Sequence, residues 1–409
     1  MFYLVIGLGK SGISAAKYLQ KNHRNVALFD DNSRKYYSPD ILTLIDNGAE
    51  IFNEHKSFSK IKKAVISPGI PADHFIIRKL KSLKIPVISE IELGLSHSKN
   101  KMIAITGTNG KSTVCSMVVH VLNSLSIPSI CVGNIGYPIT SYLTDHNDDK
   151  VLIVEVSSFQ LENIIGKYFE VGLILNIYPH HLDRHDCFDV YANTKISLQL
   201  KSQKVYVSRV ISEQFKSRLN KHFIYDEEIL ESEGCLRQNL SAAYAICKEF
   251  DINESDFLNA VKSFKGLAHR LEDIGTINQI RYLNDSKATN PSAVIQAVER
   301  FSNNVILITG GYDCANSFTT WRKAFPKRVK KVIAMGQCKQ KISEAISDLV
   351  EVIKVDNLSI GFEKACQIAG ANDIILFSPG APSYDQFNNF EERGDAFKLL
   401  VKAQKEREQ

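Results

Sequence analysis

A glycine-rich loop that carries a lysine and hydroxyl side chains is the segment of this sequence best suited to phosphate chemistry. It follows the apolar run at residues 102–106 and precedes a helical pattern that starts near Val114. In such a loop, backbone N–H groups cradle phosphates, Lys111 reaches the β and γ oxygens, and the Ser112 hydroxyl can ligate Mg²⁺. The sequence therefore predicts a nucleoside triphosphate site, although the loop is two residues shorter than the usual phosphate-loop pattern. The loop consists of Gly107, Thr108, Asn109, Gly110, Lys111, Ser112 and Thr113.

Acidic and imidazole side chains follow the next two apolar runs. Glu155 ends the run at 151–154, and a carboxylate at the end of a parallel strand points into the crevice where α/β proteins bind ligands. It is therefore a candidate ligand for Mg²⁺. The segment at 176–185 (Asn-Ile-Tyr-Pro-His-His-Leu-Asp-Arg-His) predicts a second metal or phosphate site. Zinc is not expected, because no cysteine or further histidine stands at ligand spacing. Lys195, taken alone, is expected to lie on the surface of a helix.

A second glycine loop, Gly7-x-Gly-x-x-Gly12, lies near the N-terminus between an apolar run and a helical pattern. Asp30 and Asp31 follow about 20 residues later, where a carboxylate can hold a ribose hydroxyl. Alone, this pattern is compatible with NAD, with another nucleotide or with a plain tight turn. Polar sets at 267–272 and 284–290 carry arginine, aspartate and lysine, which could clamp a transferring phosphoryl group.

The elements that must position these residues form three blocks of short apolar runs, glycine turns and helical patterns. The runs that open the blocks lie at 3–6, 102–106 and 305–309. Each such unit is typical of a parallel sheet with helices on its faces. The sequence thus predicts the α/β class and three domains, at 1–92, 93–267 and 268–409.

The composition of the 409 residues excludes several classes of protein. The chain is 44% hydrophobic and 23% charged, with a formal net charge of +5, which is ordinary for a globular protein and too apolar for a disordered one. Its apolar runs are too short to span a membrane. The basic clusters are short, so no nucleic-acid partner is expected. The eight cysteines include no Cys-x-x-Cys pair, and we expect a cytoplasmic protein.

Taken together, these motifs resemble the Mur ligase family, the ATP-dependent amide ligases of peptidoglycan precursor synthesis. The resemblance implies an N-terminal Rossmann-like domain that binds UDP, a central domain like those of phosphate-loop ATPases and a C-terminal Rossmann-like domain. The blocks at 157–161 and 385–387 point to the member that joins D-glutamate to UDP-N-acetylmuramoyl-L-alanine. The matching blocks span residues 105–113, 155–162, 181–185, 266–270, 284–290 and 378–394.

The resemblance also implies roles for individual residues. The UDP group would be bound by Lys10, Ser11, Asp30, Asp31, Ser67 and Gly69. Two Mg²⁺ ions would be held by Ser112, Glu155, His181 and a carbamylated Lys195. ATP would be bound by the phosphate loop together with Asn239, Arg270, Asp285 and Lys287. The substrates would contact Asn134, Thr289, Ser383 and Phe390, and the catalytic set would be Lys111, Glu155, His181, Lys195 and Arg270.

Three positions depart from the family pattern. Cys314 stands where a lysine usually binds the side-chain carboxylate of D-glutamate, so another cation would have to replace that charge. Ala242 removes a polar contact to the nucleotide, and His180 replaces an aspartate before the metal-binding histidine. These departures leave two alternatives, a Mur or folate-type ligase with another acceptor and a nucleotide-binding homologue without catalysis. An NAD(P)-linked dehydrogenase would not explain Lys111 or Glu155. The resemblance further implies small-molecule partners only, and we expect a monomer.

Overall fold

The computed structural model describes residues 1–408 except 54–57, 72, 147, 148, 181, 186, 226–233, 303 and 314–316. These residues form two compact units, the first made of residues 1–229 and 239–264 and the second of 230–238 and 265–409. The first unit contains two β-sheets and the second contains one. None of the helices described is long and apolar enough to cross a membrane.

The first sheet has five parallel strands in the order β3-β2-β1-β4-β5. Its apolar strands are buried under helices on both faces, as parallel sheets require. The elements are β1 Phe2–Ile6, α1 Lys10–Lys21, β2 Asn25–Phe29, α2 Pro39–Asp46, β3 Glu50–Ile51, β4 Ile61–Ile66, α3 Phe75–Ser82, β5 Val87–Ser89 and α4 Glu90–His97, with 3-10 helices at Ser33–Tyr37 and Phe58–Lys60.

The second sheet has six parallel strands in the order β11-β10-β9-β6-β8-β7. All five residues of its central strand β6 are buried. The elements are β6 Met102–Thr106, α5 Lys111–Ser124, β7 Ser129–Gly133, α6 Ile139–Asp145, β8 Val151–Glu155, α7 Ser158–Leu161, β9 Phe169–Ile174, α8 Leu182–His185, α9 Phe188–Ile196, α10 Leu198–Lys201, β10 Ser202–Ser208, α11 Arg209–Gln214, β11 Phe223–Tyr225, α12 Gly234–Cys247, a 3-10 helix at Lys248–Phe250 and α13 Glu254–Val261.

The third sheet has the order β12-β13-β17-β14-β15-β16 and is parallel except for the edge strand β12, which is antiparallel to β13. The elements are β12 Glu272–Ile277, β13 Ile280–Asn284, α14 Pro291–Val298, β14 Val305–Gly310, α15 Trp321–Ala324, β15 Val329–Met335, α16 Lys339–Ile346, β16 Val352–Lys354, α17 Leu358–Ile368, β17 Ile374–Phe377 and α18 Phe390–Glu408.

The α/β class is confirmed, and one sheet falls in each of the three predicted segments. The boundaries near residues 93 and 267 stay predictions. In every sheet a glycine-containing loop follows the strand at which the strand order reverses, namely β1, β6 and β14. Such switch points are where α/β proteins bind ligands, beyond the carboxyl ends of the strands. The topology therefore places the predicted loops where ligand binding is expected.

Candidate active site

The phosphate loop leaves the central strand β6 and enters helix α5, which begins at Lys111 rather than near Val114. Gly110 precedes the helix with φ +85°, a left-handed conformation that favours glycine. A Cβ atom there would also lie 2.6 Å from Asn239 Oδ1 on α12. Glycine is thus required at this position both by the backbone conformation and by the close approach of Asn239. Asn239, which is predicted to contact the nucleotide, lies beside the loop.

Asn176 holds the phosphate loop from the neighbouring strand. Its Oδ1 accepts from Asn109 N at 2.9 Å, and its Nδ2 donates to Asn109 O at 3.1 Å. Its backbone carbonyl accepts from Thr108 N at 2.9 Å. These bonds tie the loop to the segment that follows β9, which ends at Ile174. Asn176 opens the segment predicted to hold a metal or phosphate, but its own role in holding the loop was not predicted, although an amide side chain directly after a buried apolar run could have indicated it.

Two lysines converge on one carbonyl of the loop. Lys111 Nζ donates to Gly107 O at 2.8 Å, and Lys195 Nζ donates to the same oxygen at 2.9 Å. Lys195 is only 2% exposed, so the expectation of a surface lysine, drawn from its local sequence alone, is wrong. Burial, together with the nearby ammonium of Lys111, lowers the pKa of Lys195 well below its usual value. This shift makes the neutral amine, which is the nucleophilic form of lysine, easier to form.

Glu155 ends strand β8 directly beside β6 and is 2% exposed. Its Oε1 accepts from Asn134 Nδ2 at 2.7 Å. Its Oε2 is buried and has no hydrogen-bond partner among the residues described. A buried carboxylate oxygen without a donor is costly, and it is the ligand type that Mg²⁺ prefers. This oxygen fits a metal ion, as the sequence predicts.

The predicted metal ligand His181 lies outside the described residues. Among the residues described, no three or more His, Cys, Asp or Glu side chains are grouped to hold a metal. A metal at Glu155 would thus need other ligands, for which the buried Ser112 hydroxyl in the first turn of α5 is the predicted candidate.

The buried side chains of Ser158 and His185, together with the exposed Glu162, tie helix α7 to helix α8. Ser158 Oγ lies 3.0 Å from His185 Nε2, and His185 Nδ1 lies 3.2 Å from Glu162 Oε1. The His185 ring stacks on Phe159 with the centroids 5.4 Å apart. His185 belongs to the segment that is predicted to bind a metal or phosphate. In the structure it takes part in this internal network.

The N-terminal glycine loop is fastened to the ends of the strands on both sides of β1. Leu8 N donates to Asp30 Oδ2 at 2.6 Å, and Ser67 Oγ donates to Gly7 O at 2.6 Å. Burial opposes ionisation of Asp30, but hydrogen bonds from Lys35 and two backbone amides lower its pKa overall. Asp30 thus holds the loop in shape.

The other predicted UDP-binding residues surround the same edge of the first sheet. Asp31 is exposed and lies 3.0 Å from His74 Nε2. Lys10 Nζ donates to Gly136 O at 3.0 Å, which ties the glycine loop to the segment after β7. Ser11 is half-buried, and Gly69 is exposed with no atom within 4 Å of the position a Cβ would take. The predicted set therefore lies in the first turn of α1 and on the loops after β2 and β4.

In the second unit, Asp285 follows β13 and is buried. Its Oδ2 accepts from Ser378 Oγ at 2.7 Å, and its Oδ1 accepts from Leu271 N at 3.2 Å. Arg270 lies on the same segment as Leu271 and is half-buried. Burial raises the pKa of Asp285 to about 7, against the lowering effect of these hydrogen bonds.

Because the folded state raises this pKa above its ordinary value of 3.8, ionising Asp285 costs stability. The cost is absent below pH 4 and grows as the pH rises towards about 7. We expect Asp285→Asn to remove this part of the pH dependence. The melting temperature of the variant, relative to wild type, should therefore improve steadily between pH 4 and 7. A difference that is constant over this range would contradict the prediction, and Asp395→Asn at an exposed site of the same unit is the control.

Lys287, Thr289, Ser383 and Phe390 lie on the loops after β13 and β17 and at the start of α18. Lys287 Nζ lies 3.7 Å from the centroid of the Phe390 ring. Ser383 is 2% exposed, and its carbonyl accepts from the backbone amides of Gln386 and Phe387. The structure thus brings the predicted nucleotide residue Lys287 against the predicted acceptor residue Phe390.

Two of the three departures from the family pattern can be described. Ala242 is fully buried in helix α12, and His180 is half-buried. Cys314 lies outside the described residues.

Comparisons with known proteins identify the family. The N-terminal domain of MurD-like Mur ligases matches residues 2–89, the Mur ligase middle domain matches 105–228, and the glutamate ligase domain of Mur ligases matches 269–380. The chain belongs to the Mur ligase family, as its motifs predicted, and is therefore an ATP-dependent ligase of peptidoglycan synthesis.

Individual relatives carry a more specific name. A UDP-N-acetylmuramoylalanine--D-glutamate ligase from Protochlamydia amoebophila is 36% identical over 98% of this chain and 97% of its own length. One from Koribacter versatilis is 34% identical over 99% of this chain and 98% of its own.

Solved structures of other Mur ligases share the fold. The UDP-N-acetylmuramate-alanine ligase MurC of Thermotoga maritima aligns with a TM-score of 0.61 at 17% identity, covering 99% of this chain and all of its own. MurF ligase of the same organism, in complex with ADP, aligns with a TM-score of 0.63 at 13% identity, covering 93% of this chain and 96% of its own. At these identities the likeness concerns the fold.

Proposed function

We propose that this chain joins the L-alanyl carboxylate of UDP-N-acetylmuramoyl-L-alanine to the amine of D-glutamate, with ATP as the energy source and Mg²⁺ as cofactor. The observation that carries the proposal is the phosphate loop flanked by the buried Glu155 carboxylate on the adjacent strand. The full-length similarity to ligases of that name supports the choice of substrates.

The chemistry follows from the poor reactivity of a carboxylate towards amines. An L-alanyl carboxylate oxygen attacks the γ-phosphorus of ATP, ADP leaves, and an acyl phosphate forms. The amine of D-glutamate attacks the acyl carbon to give a tetrahedral intermediate. That intermediate expels inorganic phosphate and loses a proton from nitrogen, which leaves the amide. Catalysis of the phosphoryl transfer rests on positioning and on charge stabilisation.

Lys111 would neutralise charge on the γ-phosphoryl group, while the amides of residues 107–113 would bind the phosphate oxygens. Asn239 would contact the nucleotide beside Gly110, which it approaches closely. Ser112 and Glu155 would hold one Mg²⁺, and His181 and Lys195 a second. Bound Mg²⁺ supplies charge neutralisation and orientation of the phosphates. Asn134 would fix the Glu155 carboxylate through its 2.7 Å hydrogen bond and contact the substrate.

Carbamylation would convert Lys195 from a cation into an anionic oxygen ligand. The neutral amine adds to CO₂ and releases one proton, which gives an N-carboxylate. The lowered pKa of Lys195 supports this step, because it makes the reactive neutral amine easier to form. The change would also place a negative charge beside the ammonium group of Lys111, which shares Gly107 O with Lys195.

In the second unit, Arg270, Asp285 and Lys287 would bind phosphate and ribose of the nucleotide. Thr289, Ser383 and Phe390 would line the pocket for D-glutamate. In the first sheet, Lys10, Ser11, Asp30, Asp31, Ser67 and Gly69 would hold UDP. We further infer that the protein is a monomer and that it acts in the cytoplasm, where these three substrates are available.

The test is phosphate release from ATP with Mg²⁺ and UDP-N-acetylmuramoyl-L-alanine across a panel of D- and L-amino acids. We expect release only with D-glutamate, which would show that another cation replaces the lysine missing at Cys314. Release with a different amino acid would keep the ligase chemistry and overturn the acceptor. No release with any acceptor would favour a nucleotide-binding homologue without catalysis.

A further inference from the structure

Arg393, in the first turn of helix α18, is one of the largest fully buried side chains of the second unit, at 1% exposure. Its guanidinium group makes three hydrogen bonds. Nε donates to Ser286 Oγ at 3.1 Å, Nη2 to Ser286 O at 2.8 Å and Nη1 to Ala381 O at 3.0 Å. Ser286 Oγ in turn donates to Phe390 O at 2.8 Å, so the guanidinium is locked to its own helix as well.

The partners of Arg393 lie on two loops, one after β13 and one after β17. A third loop, after β14, passes close to it. A Cβ added to Gly311 would lie 3.1 Å from Arg393 Nη1 and 2.4 Å from Pro382 O. Tyr312 N donates to Pro382 O at 2.9 Å. One buried side chain thus lies among the three loops that leave adjacent parallel strands of the third sheet.

Burying a charged guanidinium in this position lowers the stability of the folded state, because the group loses its hydration. In the part of the chain that the structure describes, Arg393 forms no ion pair with a carboxylate. Burial lowers the pKa of Arg393 to about 10, so the group remains charged at neutral pH. An apolar side chain of similar volume is often equally or more stabilising than a buried charge. The planar guanidinium group of arginine, however, can fix several acceptors at set angles, which an apolar group cannot do.

We propose that Arg393 is a positioning residue for the ligase reaction, one that fixes the loops carrying Asp285, Lys287 and Ser383 for nucleotide and acceptor binding. This inference rests on the proposed function. Asp285 and Lys287 flank Ser286, whose carbonyl and hydroxyl the guanidinium holds, and Ser383 lies two residues beyond Ala381. A shift of either loop would move predicted binding groups that the guanidinium itself never contacts.

The first test is steady-state kinetics of Arg393→Met with the full chain. We expect KM for ATP and for the acceptor to rise by about tenfold or more. The loss of one hydrogen bond to a charged group costs a free energy that corresponds to a change of about this size in binding. Arg407→Met, an exposed position on the same helix, is the matched control and should leave both KM values unchanged. Thermal melting of each variant reports the folded fraction.

Two further measurements separate loop positioning from charge and from folding. Arg393→Lys keeps the charge and loses the planar guanidinium group, so its KM values should stay close to those of the methionine variant. Guanidinium chloride at millimolar concentration should partly lower the KM values of Arg393→Ala, whereas NaCl at the same ionic strength should not.

Several outcomes would overturn the inference. One is a lower melting temperature for Arg393→Met with unchanged KM values in the folded protein, which would make the residue structural only. Another is wild-type KM values in Arg393→Lys, which would make its charge the sole contribution. If wild type releases no phosphate with any acceptor, the proposed function fails first, and that result is seen before any variant is compared.

Discussion

Replacing Lys111 with methionine is expected to lower kcat/KM for ATP by about a thousandfold, the order found when one preorganised donor to developing charge is removed. Lys111 Nζ is already held by Gly107 O and Thr108 O at 2.8 and 3.0 Å. It is thus kept at the mouth of the loop before nucleotide arrives. Methionine keeps the length and flexibility of the side chain, so helix α5 should form normally.

The measurement is ATP-dependent phosphate release under saturating acceptor. Lys99→Met, at an exposed position before β6, is the control and should retain full activity. A loss of less than tenfold in Lys111→Met would contradict the assignment of this lysine to the phosphates.

Glu155→Gln is expected to lower kcat by about a hundredfold or more, again on the scale of losing a charged partner of the transition state. The amide keeps an oxygen for Asn134 Nδ2 but removes the negative charge from a buried site that is 2% exposed. The Mg²⁺ concentration needed for half-maximal rate should rise in parallel, because a neutral amide oxygen is a weaker ligand than a carboxylate.

Thermal melting supplies a readout independent of turnover. Mg²⁺ with ADP should raise the melting temperature of wild type, because a ligand that binds the folded state stabilises it. The same addition should raise that of Glu155→Gln much less. Without ligands the variant should be as stable as wild type or more so, because it buries no uncompensated charge. An equal ligand-induced shift in both proteins would count against Glu155 as a metal ligand, with Glu213→Gln at an exposed site as control.

The sequence predicted those elements whose signal is local. Strand β6 has the predicted bounds, Met102–Thr106, and β17 coincides with the apolar run at Ile374–Phe377, because both runs end at turn residues. Residues 201–236 carry no clear local pattern, yet β10, α11 and β11 lie within this segment. Part of this segment lies at the sheet edge, where exposed positions interrupt the apolar run.

The part of the site that could be predicted consists of groups at the ends of buried strands. The loop at 107–113 and Glu155 follow buried strands, so their convergence follows from parallel topology. Lys195 is different, because only the fold carries α9 over the loop and buries its amine against Gly107 O. The roles of Asn176 and Arg393 likewise depend on contacts between segments distant in sequence, which a local pattern cannot show.

The most direct test of the proposed ligase chemistry uses the same acceptor assay with ¹⁸O in the L-alanyl carboxylate. An acyl phosphate pathway requires one labelled oxygen to leave with the phosphate and the other to remain in the amide. We predict singly labelled phosphate, formed in amounts equal to the amide and only when D-glutamate is present. Unlabelled phosphate, released with both labelled oxygens still on the substrate, would show that water is the phosphoryl acceptor and would contradict the account.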